Sequence, residues 1–466
     1  MITRSKINIL ILGLAAVTLT GCKSLYGKYE RPEVNMQGIV RDPLSLTDTL
    51  AVSDTTSFGK MPWREVFTDP QLQSLIQQAL DNNPDLLNAA LNVKMVETQL
   101  TVAKLAFLPQ ITFTPQGTIA SWDGNKPTKT YQLPIAASWN IDLFGRILSQ
   151  KRSAQMQLLA TKDYQTVVKT NIISGVANMY YTLMMIDAQM EVINGMEDLT
   201  EKTWNLMKEF KGSRQGYTEA AVTSAEANYL SVKAQKVDLL RQMREVENSL
   251  SLVLGQPAQT IGRGRLENQS LPTNLSAGIS LQLLNNRADV HAAEMQLAQC
   301  FYGVETARSR FYPSITITPN GTFTNSAGSM IVNPGKWMLS VVGSLVQPIF
   351  MNGQIVAGLK VAKMQYEQAY NTWQQAVLKA GSEVSNALVQ YNSSMEKADL
   401  EARQIKALET NLNTATTLFN QRGGTYLEMI QAQSTLLNAQ ISKITDDFNK
   451  MQAVVSLYQA LGGGAE

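Results

Sequence analysis

The chain carries the same pattern twice, in two segments that begin 204 positions apart. Residues 85–118 and 289–322 align without a gap, and 11 of the 34 positions are identical, where chance would give roughly 2. In each copy a helix-like stretch ends near a proline, Pro109 or Pro313, and is followed by alternating polar and apolar residues. A repeat of this length predicts one architecture that is built twice along the chain.

The N-terminus predicts export from the cytoplasm. Two basic residues precede an apolar stretch of about 14 residues (7–20), which is the pattern of a secretory signal peptide. A bilayer-spanning helix needs about 20 residues. The stretch ends in Leu19-Thr20-Gly21-Cys22, which resembles a bacterial lipobox. That resemblance implies cleavage after residue 21, a diacylglycerol and an N-acyl lipid on Cys22, and, because Lys23 follows, sorting to the outer membrane.

Composition excludes several classes of function. Charge is nearly balanced, with 40 Lys+Arg against 38 Asp+Glu, so a nucleic acid is not an expected partner. The single histidine, His291, removes most acid–base and metal-binding schemes, and we expect it to be a capping or surface residue. No nucleophile–base pair, metal-ligand cluster or phosphate loop is visible in the sequence, so we expect neither an enzyme nor a metal site. Cys300 is expected to be a buried helix residue without a disulfide partner.

The pattern divides the chain into segments. A signal peptide (1–21) and an N-terminal extension (22–62) precede a first repeat (63–255), a Pro- and Gly-containing linker (256–278) and a second repeat (279–466). Each repeat contains a helix-like run of more than 60 residues, Arg146 to about Lys211 and Gln354 to about Gln421. At 1.5 Å per residue such a run is roughly 100 Å long. Helices of this length favour a coiled-coil-like assembly over a globule.

Two strand hairpins, near 110–143 and near 314–347, are predicted from strict polar–apolar alternation. In the first, Ile111, Phe113 and Ile119 share one face. Strands of about 10 residues can cross a bilayer when they are tilted by about 45°, and this alternation is the pattern of a membrane barrel. The strand regions also contain four aromatic residues that are candidates for membrane-interface anchors, although lone aromatic residues in strands are equally often ordinary packing residues: Trp122, Tyr131, Trp139 and Trp337.

Four strands cannot close into a barrel, because the smallest outer-membrane barrels have about eight. An open strand edge in lipid leaves backbone N–H and C=O groups unpaired, at a cost of several kcal/mol each. The strands of one chain must therefore pair with strands of other copies. This argument requires two or more chains and does not fix their number.

Several motifs, in order along the chain, resemble those of the TolC-type outer membrane efflux proteins. The resemblance is to the lipoprotein subgroup that serves resistance-nodulation-division pumps. The motifs are Cys22 with Tyr29-Glu30-Arg31-Pro32, Trp63 with Phe67-Thr68-Asp69-Pro70, Asn83-Pro84-Asp85-Leu86, Trp139-Asn140-Ile141-Asp142-Leu143-Phe144-Gly145-Arg146, Gln347-Pro348-Ile349-Phe350, Tyr426-Leu427-Glu428-Met429-Ile430-Gln431-Ala432-Gln433 and Leu457-Tyr458-Gln459-Ala460-Leu461-Gly462-Gly463-Gly464. Two places depart from the family: Arg287-Ala288-Asp289 replaces Arg-Pro-Asp, and Met351-Asn352-Gly353-Gln354 lacks the usual acidic residue and arginine.

The resemblance implies an α+β membrane protein that forms a homotrimer. Each chain would give four strands to a twelve-stranded β-barrel that is continuous with a long periplasmic α-helical barrel. The function implied is that of a passive exit duct for drugs or other small molecules, in contact with outer membrane lipid. The partners implied are a periplasmic adaptor (membrane fusion) protein and an inner-membrane pump, and the only attached group is the lipid on Cys22.

The two glycine-containing helix breaks supply the candidate working residues. By resemblance, adaptor contacts fall on two tips, which are Arg214, Gly216, Tyr217 and Thr218 in the first repeat and Arg422, Gly423, Gly424 and Thr425 in the second. Plain hairpin-turn chemistry would explain the glycines fully and the arginines not at all. The family often has two acidic gate positions after the second tip. Glu428 matches the first, Gln431 replaces the second, and Leu427 lies beside them. The alternative for Glu428 is a solvated helix residue without a gating role.

Two further functions remain open at this point. A type I protein-secretion duct would have the same architecture, although the lipobox and the Gly462-Gly463-Gly464 ending favour efflux. A lipid-anchored periplasmic helical scaffold would account for the long helices and Cys22. It would leave the four amphipathic strands unexplained.

Overall fold

A computed structural model describes residues 27–33, 58–121, 123–211, 218–269, 287–327, 330–421 and 423–465. The predicted signal peptide (1–21) and Cys22 lie outside these ranges. The chain divides into two compact units, and each unit draws segments from both repeats. Unit 1 comprises Met1–Val34, Leu91–Lys162 and His291–Gln375, and unit 2 comprises Asn35–Ala90, Asp163–Val290 and Ala376–Glu466.

The helices recur in the same order and with similar lengths in the two repeats. In chain order they are α1 (Trp63–Val66), α2 (Pro70–Asn82), α3 (Pro84–Leu105), α4 (Arg146–Phe210), α5 (Glu219–Val253), α6 (Ala288–Ser309), α7 (Gln354–Asn420) and α8 (Tyr426–Ala460). The long helices α4 and α7 have 65 and 67 residues, and α5 and α8 have 35 each. Their ends lie within one or two residues of the predicted ones. Among the described helices, none has the length and apolarity that a bilayer-spanning helix needs.

Local sequence explains where these helices begin and end. Asp69 caps α2, because its carboxylate accepts from the backbone N–H of Gln71 at 2.8 Å, and Pro70 fits the first helical position. The return helices α5 and α8 end at Gly255 and Gly462, whose φ angles of 68° and 84° favour glycine. At both ends the next N–H bonds back five residues, to the carbonyl oxygen of Ser251 or Tyr458, at 2.9 Å. The two repeats therefore finish in the same Schellman-type turn.

The strands form one antiparallel sheet within unit 1. They are β1 (Gln110–Phe113), β2 (Gln116–Ala120), β3 (Thr128–Ile141), β4 (Ser314–Ala327) and β5 (Met330–Val346). β3 pairs with β1 and β2 on one side and with β4 on the other, and β4 also pairs with β5. Among the described residues, β1 and β2 form one edge of the sheet and β5 forms the other.

The first predicted strand is divided into β1 and β2 at Thr114-Pro115, because proline offers no N–H to the ladder. The equivalent Pro319 stays inside β4, opposite Val341, where neighbouring strands hold β4 on both sides. The last strand also differs from the sequence-based expectation. β5 begins at Met330, several residues before the predicted start near 337.

In the first hairpin, the predicted alternation gives one apolar and one polar face. The side chains of Ile111, Phe113 and Ile119 are 72%, 60% and 71% exposed. On the polar face, Thr316 of β4 donates to the Asn140 amide oxygen of β3 at 2.7 Å. The exposed apolar face of this sheet has the character of a surface that meets lipid rather than water.

In unit 1 the described N-terminal segment, residues 27–33, packs against α6. Arg31 forms an ion pair with the buried Glu294, and the Tyr29 ring meets Phe301 edge-on at 5.9 Å. Cys300, on the same helix, is half-buried. The prediction of a buried cysteine was therefore too strong, because α6 leaves this position partly open. His291 is also partly buried, at the start of α6.

In unit 2 the central part of α4 supplies much of the core. Ile173, Tyr180 and Leu183 are completely buried. The Tyr180 hydroxyl donates to the Asp69 carboxylate at 2.8 Å. Its oxygen accepts from the Gly264 N–H at 3.2 Å. This tyrosine thereby connects the start of α2, the middle of α4 and the segment after α5.

A buried ion-pair cluster joins the same parts of unit 2. Arg263, in the linker after α5, donates from Nη2 to the Asp187 carboxylate of α4 and from Nη1 to the Glu247 carboxylate of α5, each at 2.9 Å. The Glu247 side chain is only 2% exposed. A buried carboxylate is stable only when it is paired and hydrogen-bonded, so Arg263 stabilises the packing of α4, α5 and the linker.

We expect Arg263→Leu to lower the free energy of unfolding of unit 2 by about 3–5 kcal/mol, because the buried Glu247 loses its hydrogen-bonded partner and keeps only the exposed Arg244 at 4.0 Å. Arg244→Leu is the matched control. Its side chain is 73% exposed and lies 4.0 Å from the same Glu247, so it should cost at most about 1 kcal/mol. Thermal unfolding of the detergent-extracted protein compares the two. Equal shifts in Tm would contradict the role given to Arg263.

Candidate functional site

The second tip is a tight turn between α7 and α8. The Leu418 carbonyl oxygen accepts from the N–H groups of Gly423 at 2.9 Å and Gly424 at 3.2 Å, which ends α7. A Cβ on Gly424 would lie 3.2 Å from the Leu418 Cβ and 3.3 Å from the Phe419 nitrogen. The turn therefore favours glycine at 424 because of close packing.

α8 begins with a capping box at the residue predicted as a gate. The Thr425 hydroxyl accepts from the Glu428 N–H at 3.3 Å, and the Glu428 Oε2 accepts from the Thr425 N–H at 2.9 Å. Two of the backbone N–H groups that a helix start leaves unpaired are thereby satisfied. Glu428 is exposed, so its carboxylate caps the helix and also presents a negative charge at the tip.

The other two predicted gate residues lie on the same exposed turn. The Leu427 side chain is 63% exposed. Gln431 donates to the Thr435 hydroxyl, one turn further along α8, at 3.3 Å. The start of α8 therefore presents one carboxylate, one amide and one apolar side chain.

Part of the predicted tip set lies outside the described residues. These residues are Arg214, Gly216, Tyr217 and Arg422. In the first tip, Thr218 is described and is the N-cap residue of α5, without a side-chain capping bond. The two described tips therefore differ, because Thr425 and Glu428 form a capping box at α8 and Thr218 forms none at α5.

A cluster of apolar side chains packs the two tips together within unit 2. Met207 of α4, Val222 and Ala225 of α5, Phe419 of α7 and Met429 of α8 are all at most 7% exposed. Sequence analysis missed this cluster. Its signal was present, because each glycine-containing break has an apolar residue within about two turns on either side. The tips are consequently a four-helix junction whose members share one core.

A stacked aromatic pair with two lysines lies close to this junction. The Trp204 ring of α4 stacks on the Tyr229 ring of α5 at 5.5 Å. The Lys208 ammonium lies 3.0 Å from the Trp204 ring centroid, and that of Lys233 lies 5.5 Å from the Tyr229 centroid. These contacts fix the spacing of α4 and α5 next to the first tip.

The predicted interface aromatics have different environments. The Trp337 side chain is 66% exposed, and that of Trp139 is 42% exposed, with its indole N–H bonded to the Phe107 carbonyl oxygen at 2.9 Å. The Tyr131 hydroxyl accepts from the Gly335 N–H at 3.0 Å, across β4. A Cβ on Gly335 would lie 2.8 Å from that hydroxyl. Tyr131 therefore packs within the sheet, while Trp122 lies outside the described residues.

The described ranges contain no group of three or more histidine, cysteine, aspartate or glutamate side chains placed to hold a metal ion. What the tips offer is helix-end chemistry: hydrogen-bond donors and acceptors, one exposed carboxylate, and an apolar core behind them. Such an arrangement can contact another protein or line an aperture.

Comparison with known proteins gives one family. A family model described as "Outer membrane efflux protein" matches residues 75–256 and 279–463, which together are most of the chain and fall on the two repeats.

Individual relatives match over nearly their full lengths. The chain is similar to the cation efflux system protein CusC of Escherichia coli (strain K12), with 28% identity over 96% of this chain and 98% of the relative. It is also similar to the toluene efflux pump outer membrane protein TtgC of Pseudomonas putida, with 27% identity over 98% and 96% of the two chains. The crystal structure of the open state of the Neisseria gonorrhoeae MtrE outer membrane channel has the same fold. Its TM-score is 0.84 at 24% identity, and the match covers 94% of this chain and 98% of that one.

Proposed function

The chain belongs to the outer membrane efflux protein family, and we propose that three copies of it form the exit duct of a tripartite efflux system. Each copy contributes four strand positions to a shared twelve-stranded barrel, because β1 and β2 lie end to end along β3 and count as one. The long helices of each copy contribute to a periplasmic α-helical barrel. The observation that carries the proposal is that the sheet has two open edges. One edge is formed by β1 and β2 and the other by β5, and the outer side of each edge has no strand partner among the described residues. Pairing these edges between copies satisfies the backbone groups that lipid cannot.

We propose that the duct takes its cargo from an inner-membrane pump of the resistance-nodulation-division type through a periplasmic adaptor. The adaptor contacts are assigned to the two tips, where α4, α5, α7 and α8 end on one core. Two relatives matched over nearly their full lengths are named for cation efflux and for toluene efflux. Their different cargoes support a passive duct, in which the pump selects what is exported.

We expect the detergent-extracted protein to have the native mass of three chains and to form conducting pores in planar bilayers. Native mass spectrometry and single-channel recording measure these two properties. A monomer, or a trimer that conducts nothing, would contradict the duct. A helical monomer without strand signal in circular dichroism would instead favour a periplasmic scaffold.

We propose that Cys22 carries the lipid anchor, on the evidence of the Leu19-Thr20-Gly21-Cys22 sequence. Cells that express the protein should incorporate labelled palmitate into the wild type and not into Cys22→Ser. Cys300→Ser is the matched control, because Cys300 is the other of the two cysteines. Label that persists in Cys22→Ser would place the acyl chain elsewhere.

We propose further that Glu428 forms a ring of three carboxylates at the narrow periplasmic end, which sets cation preference. Two variants separate this role from helix capping. Glu428→Gln removes the charge and keeps an acceptor for the capping box, whereas Glu428→Ala removes both. We expect both variants to weaken the block of single-channel current by divalent cations to a similar extent.

If divalent cations block the current of Glu428→Gln as strongly as that of the wild type, and only Glu428→Ala differs, the role of this residue is helix capping alone. Gln431→Ala serves as the uncharged control on the same helix face. A change in cation block as large as that of Glu428→Gln would show that charge is not the cause.

A further inference from the structure

The two strand hairpins of unit 1 have the same internal register. In the first hairpin, Ile111 of β1 lies opposite Ala137 of β3. In the second, Ile315 of β4 lies opposite Leu345 of β5. β4 therefore corresponds to β1 and β2 at the 204-residue offset of the sequence repeat, and β5 corresponds to β3 at an offset of 208 residues. A pairing made by one strand thus has a defined counterpart on the other hairpin.

Side-chain contacts at the helix end of each hairpin follow the same correspondence. The Trp139 indole N–H of β3 donates to the Phe107 carbonyl oxygen, at the end of α3, at 2.9 Å. At the corresponding positions, the Gln347 amide of β5 donates to the Phe311 carbonyl oxygen, at the end of α6, at 3.1 Å. Two different side chains make one contact, so the hairpins are structural copies of each other.

The two hairpins meet where β3 pairs with β4, and we call this pairing the internal seam. It joins the last strand of one hairpin to the first strand of the next. The open edges of the sheet consist of the same two kinds of strand, because β5 corresponds to β3 and β1 with β2 corresponds to β4. Each step from β1 to β5 is antiparallel, so β5 runs opposite to β1. The two open edges therefore have the directions that an antiparallel pairing between copies requires.

The internal seam also specifies which residues would face each other between copies. Within the chain, Leu133 of β3 lies opposite Phe323 of β4. The counterpart of Leu133 on β5 is Val341, and the counterpart of Phe323 on β2 is Ile119. The same register between copies would place Val341 of one copy opposite Ile119 of the next.

This register matches the two faces of the sheet. The side chains of Val341 and Ile119 are 73% and 71% exposed in the single chain, and they would meet on the apolar face. On the polar face the register places Ser344 opposite Gln116, which are counterparts of a facing pair in the internal seam. A slip by one residue would bring apolar side chains of one strand to the polar face of the other.

The helices attached to these strands form a row in the same order. In unit 1, α3 contacts α4, α4 contacts α6 and α6 contacts α7. These contacts are the ion pair of Glu97 with Lys162 at 3.1 Å, the Arg152 guanidinium over the Tyr302 ring at 5.7 Å, and the rings of Phe301 and Tyr366 at 6.4 Å. α3 and α7 stand at the two ends of the row, as β1 and β5 stand at the two edges of the sheet.

α3 is open where its repeat counterpart α6 is covered. The Leu91 side chain of α3 is 54% exposed, whereas Met295, at the corresponding position of α6, is 8% exposed. Leu105 is 54% exposed, and its counterpart Ser309 is 8% exposed. Because α6 lies inside the row and α3 at its end, a further helix beside α3 would cover these apolar side chains.

We propose that neighbouring copies join in the register of the internal seam, with β5 and α7 of one copy against β1, β2 and α3 of the next. The partner is a second copy of this chain, and the inference rests on the proposed function, which requires a closed ring. The ring then consists of hairpins that meet in one repeated way, within a chain and between chains.

Disulfide formation tests the register in outer membranes that contain the full-length protein. We expect Val341→Cys combined with Ile119→Cys, in a Cys300→Ser background, to give linked dimers and trimers on oxidation, with loss of most of the monomer band. Within one chain β3 and β4 separate the two positions by three strand spacings, about 14 Å. A disulfide needs Cα atoms within about 7 Å, so the link joins different copies.

Two matched pairs make the result specific. Leu133→Cys with Phe323→Cys is the same pair in the internal seam, and it should consume its thiols without raising the mass of the band. Leu339→Cys with Ile119→Cys probes a slip by two residues, which keeps the faces. It should link several-fold less, because the copied register leaves these positions about 7–8 Å apart on the diagonal.

Ser344→Cys with Gln116→Cys repeats the test on the polar face, so that the result does not depend on one variant. Native mass, measured on the same samples, separates this inference from the proposed function. A trimer in which neither in-register pair links, or in which the Leu339 pair links better than the Val341 pair, would overturn the register and leave the duct intact. A folded monomer would overturn both.

Discussion

The backbone groups along the two sheet edges are the constraint on which the rest of the fold depends. β3 and β4 have strand partners on both sides. Among the described residues, β1 and β2 at one edge and β5 at the other have a partner on one side only. In hydrocarbon each unpaired group costs several kcal/mol, and a whole edge would exceed the net stability of a typical protein, about 5–15 kcal/mol. The apolar residues that alternate along these strands suit lipid. Pairing with strands of other copies, as proposed above, would satisfy these groups.

The duplication preserved local signals more faithfully than long-range contacts. α5 and α8 both end in a Schellman-type turn with a glycine of positive φ, and this chemistry lies within a few residues of sequence. The buried arginines differ between the repeats. Arg263 follows α5 and binds Asp187 and Glu247, while Arg287 precedes α6 and binds Asp289 and Glu383. Repeats with similar helix lengths can therefore be held by different ion pairs.

This difference also explains how much the sequence could predict. Helix ends, the two strand hairpins and the two faces of the first hairpin follow from proline, glycine and alternation, which are local. The division at Pro115 was missed because it depends on whether a strand lies at an edge. The Met207 and Phe419 cluster and the Arg263 ion pairs were missed because they join residues that are distant in sequence. Of the candidate site, sequence found the helix breaks and Glu428, but not the capping box that uses its carboxylate.

The capping box makes Glu428 better suited to a charged aperture than a free surface carboxylate. One oxygen of Glu428 is fixed by the Thr425 N–H at 2.9 Å, so the charge is held in place at the tip. The positive end of the α8 dipole stabilises an anion in the first turn, by about 0.3–1 kcal/mol at an exposed site. In the proposed trimer, this interaction would offset part of the repulsion among the three carboxylates. Position 431 lies almost a turn further into α8, where that stabilisation is weaker, and it holds an amide in this chain. For the proposed gate, helix electrostatics therefore favours an acidic residue at the capping position 428 over one at position 431.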